Sequence, residues 1–339
     1  MKKRCTIEEE MFLPSQKLAQ EELKLYEKYS IPSLIQAESF TIKTLLQRNI
    51  ERWIEPFNRL PQNIFTFQQD GICFFGRKLI AERKLTGHLK ELNCSHITPS
   101  MLLGILVHFE HSAHAIAAFY HPLTFSEKLN LFSKIAANPM VDIYHPFVWL
   151  DPSSHRERSS PKSGWSIDTM RAKNLEEGER PIRSYTLEWL KHETMDGKII
   201  YDPACSTGLF LHTIKSSYPY ATVIGQDLSQ KMVDYASPFV DKVIWGDAAK
   251  PGIPENYCDY LFVRFLNAEV VSRKHAYALF PILLSRLKKN GKMIVFGHTP
   301  VLLYMPYIEC FHNLIAIQRT GYAVESGSIF QYYILRPLQ

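Results

Sequence analysis

The sequence predicts a protein of the α/β class, with a mostly parallel β-sheet in its C-terminal half and a mostly helical region before it. After Gly197, short apolar segments of strand length alternate with segments of helical spacing, which is typical of βαβ units. Before about residue 150, longer segments show helical spacing and are separated by prolines. With 339 residues the chain can form two domains, each with its own core.

The N-terminal part is predicted to be helical because apolar residues recur there every three or four positions. The helical segments are 16–29, 39–53 and 100–120, and a short strand pair is expected within 65–75. Residues 151–164, DPSSHRERSSPKSG, are polar and rich in serine and proline, as in a linker or exposed loop. We therefore predict a helical domain over 1–150, a linker and lid over 151–180, and a second domain over 181–339.

The second domain is predicted to open with a helix that starts near Pro181. Its candidate strands are 198–201, 222–226, 242–245, 260–263, 292–296 and 330–335. Candidate helices between them are 208–216, 230–236, 272–287 and 302–317, the third closed by Asn290-Gly291. Ligands of such sheets bind at the carboxyl ends of the strands, so the loops that follow the strands are the candidate site.

The loop after the first of these strands reads Asp202-Pro-Ala-Cys-Ser-Thr-Gly208. Its small residues allow backbone N–H groups to approach a ligand closely. The second strand ends in Asp227, at about the separation from Gly208 expected of an acid that binds ribose hydroxyls. The third strand is followed by Gly246-Asp247-Ala248, which places another acid at the same edge of the sheet.

Together these motifs resemble class I S-adenosylmethionine-dependent methyltransferases. The resemblance covers about residues 180–339 and implies a Rossmann-like methyltransferase domain with a seven-stranded, mostly parallel sheet and S-adenosylmethionine as cofactor. The sequence departs from the family's acid-x-Gly-x-Gly-x-Gly loop at Ala204 and Ser206, and keeps only Gly208. A serine at the second position is expected to fit if its φ is negative, and its hydroxyl could donate to the methionine carboxylate.

The resemblance also implies contacts with the methionine part of the cofactor. Asp202 is expected near its ammonium group, with the backbone from Ala204 through Ser206 to Gly208 around it. Tyr185, on the helix before the first strand, could reach the cofactor's carboxylate, and Trp165 and Met170 would belong to the same lid. The alternatives are that Asp202 caps the next helix and that Tyr185 packs in an amphipathic helix.

The adenosine part is expected at the next two strand ends. Asp227 would accept hydrogen bonds from the ribose hydroxyls beside Leu228, and Asp247 would accept one from the adenine amino group beside the backbone N–H of Ala248. Capping of the helix that starts near Ser229 is the alternative role of Asp227, and a turn acid is that of Asp247.

Arg264 to Asn267, at the end of the fourth strand, are expected to line the crevice where the methyl group leaves. His298, just after the fifth strand, is a candidate general base with a suitable titration range, and an ordinary loop histidine is the alternative. Arg264 and His298 are therefore the candidate catalytic residues.

Several classes of partner are disfavoured. A formal net charge of +5 is small for this length, so nucleic acid is an unlikely partner. No signal peptide or spanning segment is evident, and no two of the six cysteines form a Cys-x-x-Cys pair, which favours a cytoplasmic protein with reduced thiols. The stretch from His108 to His114 places Glu110 and His114 one helical turn apart, but we favour helix-surface or inter-domain histidines there and predict no metal.

The predicted function is methyl transfer from S-adenosylmethionine to an oxygen or nitrogen of a small-molecule metabolite. The fourth strand ends in Val263-Arg-Phe-Leu-Asn267 and lacks the Asn/Asp-Pro-Pro-aromatic loop of many relatives that methylate bases or glutamine. The N-terminal region would close the substrate pocket or form a homodimer. The alternatives are an RNA or protein methyltransferase, an S-adenosylmethionine-binding enzyme with a non-methylating reaction, and a non-enzymatic partner-binding domain.

Overall fold

The fold is taken from a computed structural model, which describes residues 49–56, 64–77, 96–111, 115–146, 157, 159–167, 169–268, 270–325 and 327–338. The chain divides into two compact units. Unit 1 comprises residues 1–90, 96–156 and 322–330, and unit 2 comprises 91–95, 157–321 and 331–339. None of the helices in these described ranges is long and apolar enough to cross a membrane.

Unit 1 is built on a five-stranded antiparallel sheet with the order β1-β5-β4-β3-β2. Its elements are β1 (Glu51–Pro56), β2 (Ile64–Gln69), β3 (Ile72–Arg77), β4 (Leu102–His111), β5 (Ala115–Pro122) and the helix α1 (Phe125–Ala137). Thr124 and Glu127 form a capping box at the start of α1. Buried aromatic and aliphatic side chains from β2, β3, β4 and α1 form one core, among them Phe67, Phe74 and Phe132.

The expected strand pair within 65–75 is confirmed as β2 and β3. Asp70 and Gly71 join the two strands with φ values of +53° and +77°. Two successive positive φ values characterise a type I′ turn, for which Asp-Gly is a favoured sequence.

The expectation of a mostly helical N-terminal region is wrong for the described part of unit 1. Residues 100–120, predicted as a helix, form most of the hairpin β4–β5. At Gly104 a Cβ atom would lie 2.0 Å from the carbonyl oxygen of His121, so the two strands approach as closely as a glycine allows. The predicted helix 16–29 and most of 39–53 lie outside the described residues; the end of the latter, from Glu51, belongs to β1.

Unit 2 contains most of the predicted seven-stranded sheet, in the order β11-β12-β10-β9-β6-β7-β8. The strands are β6 (Ile199–Asp202), β7 (Thr222–Asp227), β8 (Lys242–Trp245), β9 (Cys258–Val263), β10 (Leu287–Phe296), β11 (Leu314–Ala323) and β12 (Ser328–Pro337). Strands β8, β7, β6, β9 and β10 pair in parallel, and β12 is antiparallel to β10. This arrangement confirms the Rossmann-like fold and all six predicted strands.

The helices of unit 2 are α2 (Thr169–Leu190), α3 (Leu209–Ser217), α4 (Gln230–Ala236), α5 (Arg273–Leu284) and α6 (Met305–His312). The strands that follow β6 are added on both of its sides, β7 on one side and β9 on the other. The strand order therefore reverses at β6, and such a reversal creates a crevice beyond the carboxyl end of that strand. This crevice is where the predicted site residues should meet.

Three predicted boundaries are corrected. The helix ahead of β6 begins at Thr169 and contains Pro181, rather than starting near it. The segment 302–317 contains a short helix that ends at His312, and the next residue, Asn313, with a φ of +52°, turns the chain into the unpredicted strand β11. Asn290-Gly291 lies inside β10, at an irregularity in its pairing with β9, and α5 already ends at Leu284.

Candidate cofactor site

Gly208 holds the loop after β6 in a conformation that only glycine adopts without strain. Its φ is +74°, and a Cβ atom there would lie 2.8 Å from the Cβ of Ala236 on α4. Its N–H donates to the carbonyl of Cys205 at 3.0 Å, and α3 begins at the next residue. The glycine therefore allows the loop to turn tightly and to pack directly on a neighbouring helix.

Ser206 departs from the sequence expectation, because its φ is +53° rather than negative. Its backbone N–H donates to Asp227 Oδ2 at 2.9 Å, a hydrogen bond that joins the loops after β6 and β7. This bond to a carboxylate helps to offset the cost of about 1 kcal/mol that a residue with a Cβ incurs in the left-handed region.

Asp202 is fully buried at the end of β6. Its Oδ1 accepts a hydrogen bond from the N–H of Ala204 at 3.0 Å, and its Oδ2 accepts one from Arg264 Nε at 2.7 Å. Burial raises the pKa of this carboxyl group, and the neighbouring guanidinium opposes that shift. Asp202 thus stabilises the turn and a buried cation from within the protein.

Arg264, at the end of β9, joins three parts of the site. Besides Asp202, it donates from Nη1 to Glu179 Oε1 on α2 at 2.8 Å and from Nη2 to the carbonyl of Cys205 at 3.2 Å. The guanidinium carbon lies 4.5 Å from the ring centre of Phe210, within the range of a cation–π interaction. The guanidinium is therefore held in place on several sides, and sequence reasoning missed Glu179 because 85 residues separate it from Arg264.

Asp227, at the end of β7, is only partly buried. Its Oδ2 accepts the hydrogen bond from Ser206, and its Oδ1 accepts one from the N–H of Ser229 at 2.9 Å. Burial raises the pKa of Asp227, and these two backbone N–H groups oppose the shift. Both the capping role and the ligand role considered from the sequence are compatible with this geometry.

Gln226 organises the loop after β8 and was not expected from the sequence. Its side chain is fully buried, and its Nε2 donates to the carbonyl of Asp247 at 2.9 Å. Its Oε1 accepts from the hydroxyl of Tyr201 at 2.6 Å and from the N–H of Gly252 at 2.7 Å. A buried amide with satisfied hydrogen bonds at both ends fixes the loop 247–252 against the sheet.

Asp247 and Ala248 lie in that loop at the edge of the crevice. The Asp247 carboxylate is exposed, and its Oδ1 accepts from the N–H of Ala249 at 2.9 Å, while Ala248 is buried. The neighbouring Trp245 is 65% exposed, and its indole N–H donates to the carbonyl of Leu228 at 3.1 Å. The loops after β7 and β8 are therefore linked beside Asp227.

The segment that precedes α2 crosses the same edge of the sheet. The N–H and the hydroxyl of Ser160 both donate to the carbonyl of Val270, which follows β9, at 2.9 and 3.1 Å. At Gly164, with a φ of +75°, a Cβ atom would lie 2.9 Å from the backbone N of Ser229, which follows β7. This segment is therefore held at one point to the residues after β9 and at another to the residues after β7.

The structure does not bring Tyr185 to this loop. Gln318 Nε2 on the edge strand β11 donates to its hydroxyl at 2.5 Å, and its ring centre lies 5.0 Å from that of Tyr332. The packing role is thus favoured over the cofactor role. His298 follows β10 at the carboxyl edge and is exposed, which is compatible with both the general base and the ordinary loop histidine considered from the sequence.

The residues fit S-adenosylmethionine. Asp227 offers a partly exposed carboxylate for two hydroxyl groups, and the glycine turn at Gly208 brings the loop backbone close to α4. Gln226 fixes the loop 247–252, which follows the next strand along the sheet edge. A cluster of the buried Asp202 and Arg264 with the partly exposed Glu179 borders the loop on the side of β9.

Glu110, which the sequence suggested could share a helix face with His114, lies in β4, and His114 lies outside the described residues. His108 stacks on Phe119 with ring centres 4.4 Å apart. Within the described ranges, no group of three or more histidine, cysteine, aspartate or glutamate side chains could hold a metal ion.

Comparisons with known proteins identify the family. The chain is 33% identical to isonocardicin synthase from Nocardia uniformis subsp. tsuyamanensis over 282 residues, which cover 81% of this chain and 92% of that protein. No protein-family model matches the chain.

Solved structures similar to the chain include a SAM-dependent methyltransferase from Aquifex aeolicus, with 16% identity, a TM-score of 0.40, and coverage of 50% of this chain and 99% of that one. Magnesium protoporphyrin IX methyltransferase from Synechocystis PCC 6803 with bound SAM has 17% identity, a TM-score of 0.40, and coverage of 52% and 87%. Sheet order, loop motifs and the relative together place the chain among the class I S-adenosylmethionine-dependent methyltransferases, in the family of isonocardicin synthase, as an enzyme whose cofactor is S-adenosylmethionine.

Proposed function

We propose that this enzyme transfers the methyl group of S-adenosylmethionine to an oxygen or nitrogen atom of a small-molecule metabolite. The observation that carries the proposal is the likeness to isonocardicin synthase, a protein named for the compound that it makes. That likeness covers 81% of the chain, more than unit 2 alone supplies, so part of unit 1 is shared with a protein named for making a compound.

Asp227 and Leu228 would bind the ribose, and Asp247 with Ala248 the adenine. The loop from Ala204 to Gly208 would hold the methionine part. A sulfonium methyl group is already activated for transfer, so the protein contributes mainly by aligning the acceptor with it. Arg264 then acts by holding the site together through its carboxylate partners rather than by moving a proton.

His298 would take the proton of a hydroxyl or ammonium acceptor. Its place after β10, at the carboxyl edge of the sheet, supports this role. Replacing His298 with alanine should lower kcat at least about a hundredfold while the affinity for S-adenosylhomocysteine stays unchanged. An acceptor that carries no dissociable proton, or an unchanged kcat, would remove the histidine from the mechanism.

The proposed function is tested by incubating the enzyme with S-adenosylmethionine labelled in its methyl group and with panels of hydroxyl- and amine-containing metabolites. Label should appear in the acceptor in equal amount to S-adenosylhomocysteine. Label transferred only to RNA or protein would show the alternative class of acceptor.

We also propose that unit 1 closes the acceptor pocket or forms a homodimer. Size-exclusion chromatography with light scattering would measure the molar mass and so test the homodimer.

A non-methylating reaction is the second candidate, favoured by the name of the relative, which is that of a synthase and mentions no methyl transfer. The two candidates leave different nucleosides. Attack on the methyl carbon releases S-adenosylhomocysteine, whereas attack on the methionine carbon bound to sulfur releases 5′-methylthioadenosine and keeps the label on the nucleoside. Chromatography of the nucleoside product in the same incubation therefore separates them.

A further inference from the structure

Two carboxylates border the methionine side of the site, and only one of them is accessible. Asp202, at the position where the family resemblance places the contact with the cofactor's ammonium group, has no exposed surface. Its two oxygens accept hydrogen bonds from Ala204 and Arg264. A ligand ammonium could reach it only if the loop or the guanidinium moved away.

Glu179, on α2, is the second carboxylate. Its Oε1 accepts from Arg264 Nη1 at 2.8 Å, and its side chain keeps 19% of its surface exposed, against 6% for Arg264. The same guanidinium donates from Nη2 to the carbonyl of Cys205 in the cofactor loop at 3.2 Å. Arg264 therefore holds Glu179 beside that loop.

The cluster holds more acidic groups than basic ones. Asp202 and Glu179 share the single guanidinium of Arg264, whose pKa these two carboxyl groups raise against the effect of burial. Asp202 is fully buried and Glu179 keeps part of its surface exposed. Electrostatic attraction is strong in such surroundings, so the cluster favours a cationic ligand group over a neutral or anionic one.

We propose that Glu179, and not Asp202, binds the ammonium group of the cofactor's amino acid part, and that Arg264 is the positioning residue that holds Glu179 there. Asp202 fixes Arg264 and so acts one step further from the ligand. This proposal rests on the proposed binding of the cofactor along the loop from Ala204 to Gly208. It assigns the recognition of the ammonium group to the helix ahead of the sheet.

The test is calorimetric titration of the full chain with three ligands: S-adenosylhomocysteine, its analogue without the amino group, and 5′-methylthioadenosine, which lacks the whole amino acid part. Glu179→Gln should weaken S-adenosylhomocysteine at least tenfold, or about 1.4 kcal/mol, and leave 5′-methylthioadenosine within twofold of the wild type. The wild type should bind the desamino analogue at least tenfold more weakly than S-adenosylhomocysteine, and Glu179→Gln should bind both alike.

The matched control is Glu188→Gln on the same helix. Glu188 is exposed and pairs with Lys191 at 2.5 Å, so its substitution should change none of the three affinities. If Glu179→Gln does not fold, Glu179→Asp, which keeps the carboxyl group and shortens the side chain, replaces it. This variant should also bind S-adenosylhomocysteine more weakly without a change for 5′-methylthioadenosine, but the loss of affinity should be smaller.

The outcomes are distinct. Equal weakening of all three ligands would mean that Glu179 only supports the helix, and unchanged affinities would mean that it does not touch the ligand; either result overturns the proposal. If the wild type binds neither S-adenosylhomocysteine nor 5′-methylthioadenosine, the proposed cofactor site itself fails, and the assignment of Glu179 fails with it. If 5′-methylthioadenosine binds but the amino group contributes nothing, only the assignment fails.

Discussion

The ends of β6 and β7 carry the same residue type in the same kind of loop, yet the two aspartates do different work. Asp202 is fully buried and faces a guanidinium, whereas Asp227 is partly exposed and is held by two backbone N–H groups. A carboxylate paired with a buried cation is needed by the fold because its removal would leave that charge unpaired, whereas one oriented by N–H groups at a surface can bind a ligand. The difference shows that a strand-end acid becomes a structural or a ligand residue according to what the neighbouring strands place beside it.

The largest expected effect comes from the buried aspartate. Asp202→Ala leaves Arg264 buried with one of its two carboxylates missing, and unpairing a buried charge costs about 3 kcal/mol. Denaturant unfolding should show this loss of stability, while Asp247→Ala, at an exposed carboxylate, should change it by less than about 0.5 kcal/mol. A loss below about 1 kcal/mol for Asp202→Ala would contradict its structural role.

The second effect concerns the turn that brings the two strand ends together. Gly208→Ala should cost about 2 kcal/mol, because the new Cβ combines a positive φ with a clash against Ala236. Gly197 is the matched control, since its φ of +70° is similar and nothing lies within 4 Å of a Cβ built there. Gly197→Ala should cost about 1 kcal/mol. The difference between the losses in free energy of unfolding of the two variants, from denaturant titrations, therefore measures the clash alone. Equal losses would mean that the loop relaxes around the methyl group.

The third effect tests Asp227 through pH. Ribose hydroxyls donate to an ionised carboxylate, and burial raises the pKa of Asp227. The affinity for S-adenosylhomocysteine should therefore begin to fall at a higher pH than it would if Asp227 had the pKa of an ordinary aspartate. Asp227→Asn should weaken binding about tenfold at neutral pH, or about 1.4 kcal/mol, and should remove most of this acid-side dependence. Calorimetric titrations over a pH series would measure both.

The same shift acts on stability with the opposite sign. A raised folded-state pKa means that folded Asp227 holds its proton more tightly than the unfolded chain does. Its contribution to the stability of the free protein is therefore present below the unfolded pKa and is lost as the pH rises through the folded pKa.

The binding prediction is contradicted if the affinity of Asp227→Asn for S-adenosylhomocysteine keeps the pH dependence of the wild type. That result would assign the titration to another group.

The smallest effect concerns Ser206. Ser206→Gly removes the strain of a side chain at a φ of +53° but adds the entropy cost of glycine, so we expect a gain in stability of a few tenths of a kcal/mol. Cofactor affinity should stay within about twofold, because the contact with Asp227 comes from the backbone N–H. A large loss of affinity would instead indicate that the Ser206 hydroxyl contacts the cofactor.

The two units show where reading a sequence succeeds. In unit 2 the strands are separated by clear turn residues and helices, so all six predicted strands and the acids at their ends were found. In unit 1 the segment 100–120 is apolar at spacings that fit a helix and a strand equally well, and its pairing with β1 and β3 settles the question. β11 was missed for a similar reason, because the apolar residues from Leu314 continue the helical spacing of α6 in the sequence, although Asn313 turns the chain before them.

The sequence by itself determined the parallel sheet, the loop from Asp202 to Gly208, and the acids Asp227 and Asp247 at successive strand ends, because these depend on local periodicity and short spacings. Only the tertiary structure decided that Arg264 joins Asp202 to Glu179, that Gln226 fixes the loop 247–252, and that Ser206 adopts a positive φ. These contacts join residues far apart in the chain, and their effect depends on burial. Contacts between distant residues and the burial of a side chain leave no periodic pattern in the sequence, so they could not be predicted from it.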